Sequence, residues 1–105
     1  MNEKIRLSKK NRSNQLKVSA VIPTKNRIKD LKECIKSLSK QQYPIYELII
    51  VDGSTNDDTE KYIKNLKKDK LDFDCIYIKQ ASGGLATARN IGNKEASGDI
   101  VYQLD

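Results

Sequence analysis

The chain predicts a three-layer α/β sandwich on a parallel sheet, in the order βαβαβαβ. Four short apolar runs alternate with three segments of helical periodicity. The first three runs each give way to a turn rich in Pro, Gly, Asn, Asp or Ser. Strands alternating with helices call for right-handed crossovers, which place the helices on the faces of the sheet.

The first strand is Val18 to Ile22, rich in β-branched residues and expected to stop at Pro23, which cannot donate to a ladder. The loop Thr24-Lys25-Asn26-Arg27 follows. Ile28, Leu31, Cys34, Ile35 and Leu38 then recur at helical spacing among charged residues, predicting a helix over about 28–41. Tyr43-Pro44 ends it, because the residue before proline avoids the α region.

Glu47 to Val51 is the second strand, an apolar run that stops at Asp52. The turn Gly53-Ser54-Thr55-Asn56 leads into a helix over about 56–68, with acids in its first turn and lysines in its last, as the helix dipole favours. Phe73 to Ile78 is the third strand, placed toward an edge by its alternation. Gly83-Gly84 opens a helix from Leu85 to Ala96 whose small residues allow close packing on a sheet. Ser97-Gly98 closes it, with Gly98 suited to a left-handed cap. Asp99 to Leu104 is the fourth strand and runs into Asp105.

At 105 residues the chain has the size of one small domain. Its mean hydropathy of −0.69 and the lack of any apolar stretch near 20 residues argue against a membrane span. No apolar core follows the charged N-terminus, so it is not a signal peptide. The net charge of +6 belongs mainly to the beginning of the chain. Residues 1–17 hold six basic groups against Glu3, and the remaining 88 hold 14 basic and 13 acidic.

Residues 1–16 therefore read as a basic, disordered leader, with peripheral contact to an anionic membrane as the sharper reading. Nucleic-acid binding is not expected, because the leader has no aromatic residue to stack on bases and the body carries little net charge. The chain has no histidine, which removes the usual general base and every histidine-containing zinc site. Cys34 and Cys75 form no metal pattern and read as core residues of a cytoplasmic protein.

Parallel topology brings the strand-end loops to one edge, where open α/β sheets bind their ligands. Arg27 and Lys25 can meet phosphate charge. Asp52 can accept hydrogen bonds from a base or a ribose. The Gly83-Gly84 backbone can approach a diphosphate at a helix N-terminus, with Arg89 one turn further on. Asp105 can bind a divalent cation. Each has a plainer alternative: Asp52 and Gly83-Gly84 as ordinary turns, Arg89 as a solvated charge, Asp105 as a chain end. Co-location favours the joint reading. No G-x-G-x-x-G follows the first strand and no G-x-x-x-x-G-K-[ST] occurs, so neither the Rossmann fingerprint nor a P-loop is present.

From Lys17 to Asp105 the chain resembles the family 2 glycosyltransferases, which have the GT-A nucleotide-diphospho-sugar transferase fold. VSAVIPTKNR looks like the family's opening strand and loop. LKECIKSLSKQQYPIYELIIVDGSTNDDT is similar to its first helix, Q-x-Y-P connection and acidic second loop. GGLATARNIGNKEASGDIVYQLD resembles the segment leading into the metal-binding D-x-D motif.

The resemblance implies a donor site of Pro23, Thr24, Asn26, Arg27, Asp52, Ser54, Gly83, Gly84, Arg89 and Asn90. Asp52 would bind the base, and Asp105 would be the first Asp of D-x-D, holding Mg2+ or Mn2+ on the diphosphate. Family members commonly show Asp-Asp after the second strand; this chain has Asp52-Gly53. The implied function is transfer of a sugar from a nucleotide-diphospho-sugar to a saccharide, lipid-carrier or protein acceptor, in polysaccharide or cell-envelope synthesis, in the cytoplasm or at its membrane surface. Residues 17–105 read as the donor-binding half, inactive alone because the acceptor site and general base would lie beyond Asp105. The competing readings are a non-catalytic α/β module that binds a nucleotide or a partner, and a receiver-type signalling domain. The latter needs an acidic pair where Pro23-Thr24 stands.

Overall fold

The computed structural model describes residues 3–7, 16–40, 44–66 and 71–104. Its elements are β1 (Glu3–Leu7), β2 (Val18–Thr24), α1 (Ile28–Ser39), β3 (Glu47–Asp52), α2 (Asp58–Asn65), β4 (Asp74–Lys79), α3 (Leu85–Glu95) and β5 (Ile100–Gln103). They form one five-stranded sheet in the order β1-β4-β3-β2-β5. β2 to β5 are mutually parallel, and β1 runs antiparallel to β4.

Strand order explains the layers. The chain steps outward from β2 to β3 to β4, and right-handed crossovers put α1 and α2 on one face. It then returns past β3 and β2 to β5, so α3 lies on the other face. Side-chain alternation serves both sides. Ala20, Ile22, Leu48, Ile50, Cys75 and Tyr77 join Leu31, Ile35 and Leu38 of α1 and Ile63 of α2 in one core. Val21, Ile49, Val51, Ile76 and Ile78 face Ala88 and Ile91 of α3 in the other. β3 is buried along its whole length.

Five expectations need correction. Residues 3–7, assigned to a disordered leader, form an edge strand paired with β4 from Glu3↔Lys79 to Leu7↔Cys75. β4, expected toward an edge, is therefore covered on its outer side. Pro23, expected to end the first strand, lies inside it. The Val21 carbonyl accepts from Leu104 N–H, so odd-numbered backbone groups of β2 face β5, and the β2–β5 register ends at Val21↔Gln103. The missing N–H of Pro23 falls past that last pair, where it breaks no ladder bond.

Gly98 is not in the left-handed region, and α3 ends on extended Ala96. Glycine serves a close approach at position 98, where a Cβ would stand 2.6 Å from both the Lys17 carbonyl oxygen and Ser19 Oγ. α2 begins at Asp58 rather than Asn56 because the Asn56 Oδ1 atom accepts the Asp58 N–H at 3.1 Å.

Tight packing of α3 on the sheet depends on Gly92, where a Cβ would lie 2.3 Å from Val21 Cγ1. Gly92→Ala is expected to cost about 1–3 kcal/mol by overpacking, despite the better helix propensity of alanine. Urea unfolding checks this, with Val21→Ala in the same chain recovering part of the loss. Cys75 offers a second test. Burial, then the neighbouring Asp74, push its thiol from near 9 up to about 12. The folded state favours the neutral thiol, so this contribution is complete below about pH 9 and is lost as pH rises through about 12. Unfolding free energy should decline more steeply over that range in wild type than in Cys75→Ala.

Candidate functional site

Three parallel strands, β2, β3 and β4, end on one edge, and their loops enclose an open cleft of about 310 Å3. Pro23 and Thr24 at the end of β2, with Lys25 and Arg27 of the β2–α1 loop, line one side of it. Gly53 contributes from the β3–α2 loop, and Gln80, Gly83 and Gly84 come from the β4–α3 loop. Leu85 and Ala88 form a wall from the first turns of α3.

The cleft has a polarity. Lys25 and Arg27 are its cations, and no carboxylate lines it among the described residues. Arg27 is steered by Asp30 through an ion pair of 2.7 Å, a solvent-exposed contact worth at most about 1 kcal/mol. Gly84 is the N-cap of α3 and makes no side-chain cap. The N–H groups of the first helical turn have no acceptor within the helix, which makes this end attractive to an anion. Gly83 has φ +100°, a conformation that favours glycine, and a Cβ there would meet the Thr87 side chain at 2.8 Å. Gly83 is thus required by the way the loop enters α3, whereas a Cβ at Gly84 would meet nothing within 4 Å.

Of the expected site residues, Pro23, Thr24, Arg27, Gly83 and Gly84 come together at the cleft. Asp52 does not reach it. Its side chain is fully buried, with Oδ1 accepting the Ser54 N–H at 2.9 Å and Oδ2 accepting the Tyr77 hydroxyl at 2.6 Å. Lys79 Nζ stands 3.9 Å from Oδ2 and donates to the Ser54 and Asn56 carbonyls. Asp52 is placed as the support of its loop rather than as a group facing a ligand.

Asn26, which is exposed, and Ser54, which is buried, do not line the cleft and instead join its loops. Asn26 adopts φ 54°, a left-handed conformation that asparagine tolerates. Its N–H donates to Ser54 Oγ at 2.8 Å, and its Oδ1 accepts from Thr55 N–H at 3.0 Å. Together with Gly53 N–H donating to the Thr24 carbonyl, these bonds join the first two loops. Arg89 and Asn90 lie on α3 but do not line the cleft. Asp105 lies outside the described residues, among which no three potential ligands cluster for a metal ion.

Gly53, Gln80, Leu85 and Ala88 line the cleft without being among the expected site residues. Gln80 follows β4 as Asp52 closes β3, and its N–H donates to the Asp52 carbonyl at 2.7 Å. Its strand-end position is the signal the sequence carries; a polar, uncharged side chain adds no further mark.

Tyr77→Phe removes the hydroxyl that meets Asp52 and leaves a buried carboxylate oxygen with only distant Lys79. The expected cost is about 1.5–3 kcal/mol, the range for a hydrogen bond to a charged group, read as a lower urea midpoint with an unchanged slope.

Comparison with known proteins agrees with this architecture. The family model described as "Glycosyl transferase family 2" matches residues 19–105. An uncharacterised glycosyltransferase of Rickettsia conorii is 37% identical over 92 residues, covering 88% of this chain and 15% of the relative. The GalNAc(5)-diNAcBac-PP-undecaprenol beta-1,3-glucosyltransferase of Campylobacter jejuni is 34% identical over 89 residues, 85% of this chain and 29% of the relative. The crystal structure of Staphylococcus aureus TarS superposes with a TM-score of 0.68 at 30% identity, covering 86% of this chain and 16% of that one. TarS is named a poly(ribitol-phosphate) beta-N-acetylglucosaminyltransferase. The chain thus spans 15 to 29% of the length of these relatives. Matched over most of its length, the chain belongs to glycosyl transferase family 2.

Proposed function

We propose that the chain is the donor-binding part of a glycosyltransferase, which holds a nucleotide-diphospho-sugar in the cleft at the carboxyl edge of the sheet. The observation that carries this reading is the composition of that cleft. Two cations and an uncapped helix start suit a diphosphate, and Pro23, Leu85 and Ala88 suit a flat, weakly polar ring. Family membership supports the sugar-transfer part of this reading, and the lining of the cleft supports the nucleotide part.

The acceptor, on this reading, is a saccharide, a lipid carrier or a protein, in keeping with the polymer and lipid-linked acceptors that two relatives' names indicate. Asp105 would contribute to a site for Mg2+ or Mn2+, a role that rests on the family pattern alone. A base that deprotonates the acceptor hydroxyl must be sought elsewhere, since no carboxylate lines the cleft among the described residues. Contact of the basic N-terminal segment with an anionic membrane completes the proposal, with the reaction on the cytoplasmic side. No helix among the described residues is long and apolar enough to cross a membrane.

Calorimetric titration of the chain with UDP, GDP and dTDP in the presence of Mn2+ tests this. At least one should bind saturably, more weakly as salt rises, and Lys25→Ala with Arg27→Ala should weaken it by on the order of tenfold. No saturable binding by any of the three would overturn the donor-site reading. Release of UDP from a UDP-sugar by the chain alone would contradict the assignment of the base to another part of the protein.

A further inference from the structure

Gln80 is a polar side chain of the cleft whose amide orientation is set by two hydrogen bonds. It is 9% exposed. Its Nε2 donates to the Ser82 carbonyl at 3.1 Å and to the Gly84 carbonyl at 3.2 Å. Two acceptors use both amide hydrogens. Turning the amide over would set Oε1 against two carbonyl oxygens, so the choice of oxygen and nitrogen follows from the network. Oε1 is left pointing toward Gly53, where a Cβ would stand 3.1 Å away. Among the described residues no group donates to Oε1, which leaves it able to accept from a ligand.

The cleft therefore presents an acceptor that cannot become a donor. Asp52, the acid expected to read a base, is enclosed behind the surface with both oxygens occupied. Gly53 keeps the space before Oε1 open. We infer that Gln80 is the specificity-determining residue of this cleft, its Oε1 accepting the ring N–H of a nucleobase. The ligand class is a diphosphate of uracil, thymine or guanine, whose ring nitrogen at the pairing edge carries hydrogen. Cytosine and adenine carry a bare acceptor nitrogen there, which Oε1 would repel. The inference rests on the nucleotide-site reading above and deepens it.

Titration with paired probes tests it. The whole chain is titrated with UDP, GDP, CDP and ADP, then with N3-methyl-UDP or N1-methyl-GDP, matched to the tighter binder. Wild type should prefer UDP or GDP and should bind the N-methylated analogue at least about three- to tenfold more weakly, as loss of one hydrogen bond requires. In Gln80→Ala the parent and methylated nucleotides should bind alike. Gly53→Ala, which crowds Oε1 while leaving the β4–α3 loop its anchor, should shrink the same ratio and serves if Gln80→Ala does not fold.

A residue that only shapes the loop would weaken both ligands equally and leave their ratio unchanged; that result overturns the inference while the donor-site reading stands. Preference for CDP or ADP overturns it likewise. Binding of none of the four overturns the donor-site reading, and the inference with it.

Discussion

The carboxylate of Asp52 stands at the point where the loops after β2, β3 and β4 converge, and their mutual placement depends on it. Burying an ionised carboxyl is costly unless its oxygens are met. Here Ser54 N–H and the Tyr77 hydroxyl meet them, and Lys79 lies close by. Each partner fixes something further. Ser54 receives Asn26 from the first loop, and Lys79 gathers the carbonyls of the second. The Asp52 carbonyl takes the N–H of Gln80 from the third. A change at this carboxylate would reach the cleft through all three loops without touching a ligand.

β3 carries a second buried acid at its opposite end. Glu47 accepts from Ser19 Oγ at 2.6 Å and from the Ser97 N–H at 2.6 Å, while Ser19 Oγ accepts from the Gly98 N–H. These bonds tie the α3–β5 turn to the start of β2. They add to the ladder that holds β5, whose Ile100, Val101 and Tyr102 side chains are all exposed. The central strand thus fixes the site edge with one carboxylate and the return of the chain to β5 with the other. Removing a single partner from either group would leave a buried acid one hydrogen bond short, a costly change in the interior.

Element order was legible because period and punctuation agree along most of the chain. Val18–Ile22, Glu47–Val51 and Phe73–Ile78 lie within a residue of their observed strands, apart from the passage of β2 through Pro23. The early strand was hidden by its charge. Lys4, Ile5, Arg6 and Leu7 alternate with the period of a strand, but the net charge of the segment dominated its reading. At the site, the loop glycines and cations were readable from local sequence, since turn and helix-start chemistry is local. The fate of Asp52 was not. Whether a strand-end carboxylate faces solvent or core depends on Tyr77, 25 residues away, facing the same side of the sheet.

That dependence gives the site a consistent division. Residues with the strongest hydrogen-bonding side chains, Asp52, Asn26 and Ser54, are spent on joining loops. What remains for a ligand is backbone, small or apolar side chains, two cations and one oriented amide. A surface of this kind discriminates poorly by charge in its interior and well by shape and by hydrogen-bond direction. Charge acts at Lys25, Arg27 and the start of α3, so a ligand anionic at one end and neutral at the other fits better than one charged throughout. The substitution of glycine where the family commonly places a second acid belongs to the same arrangement. A carboxylate at position 53 would crowd the Gln80 oxygen and put a negative charge where this cleft has none.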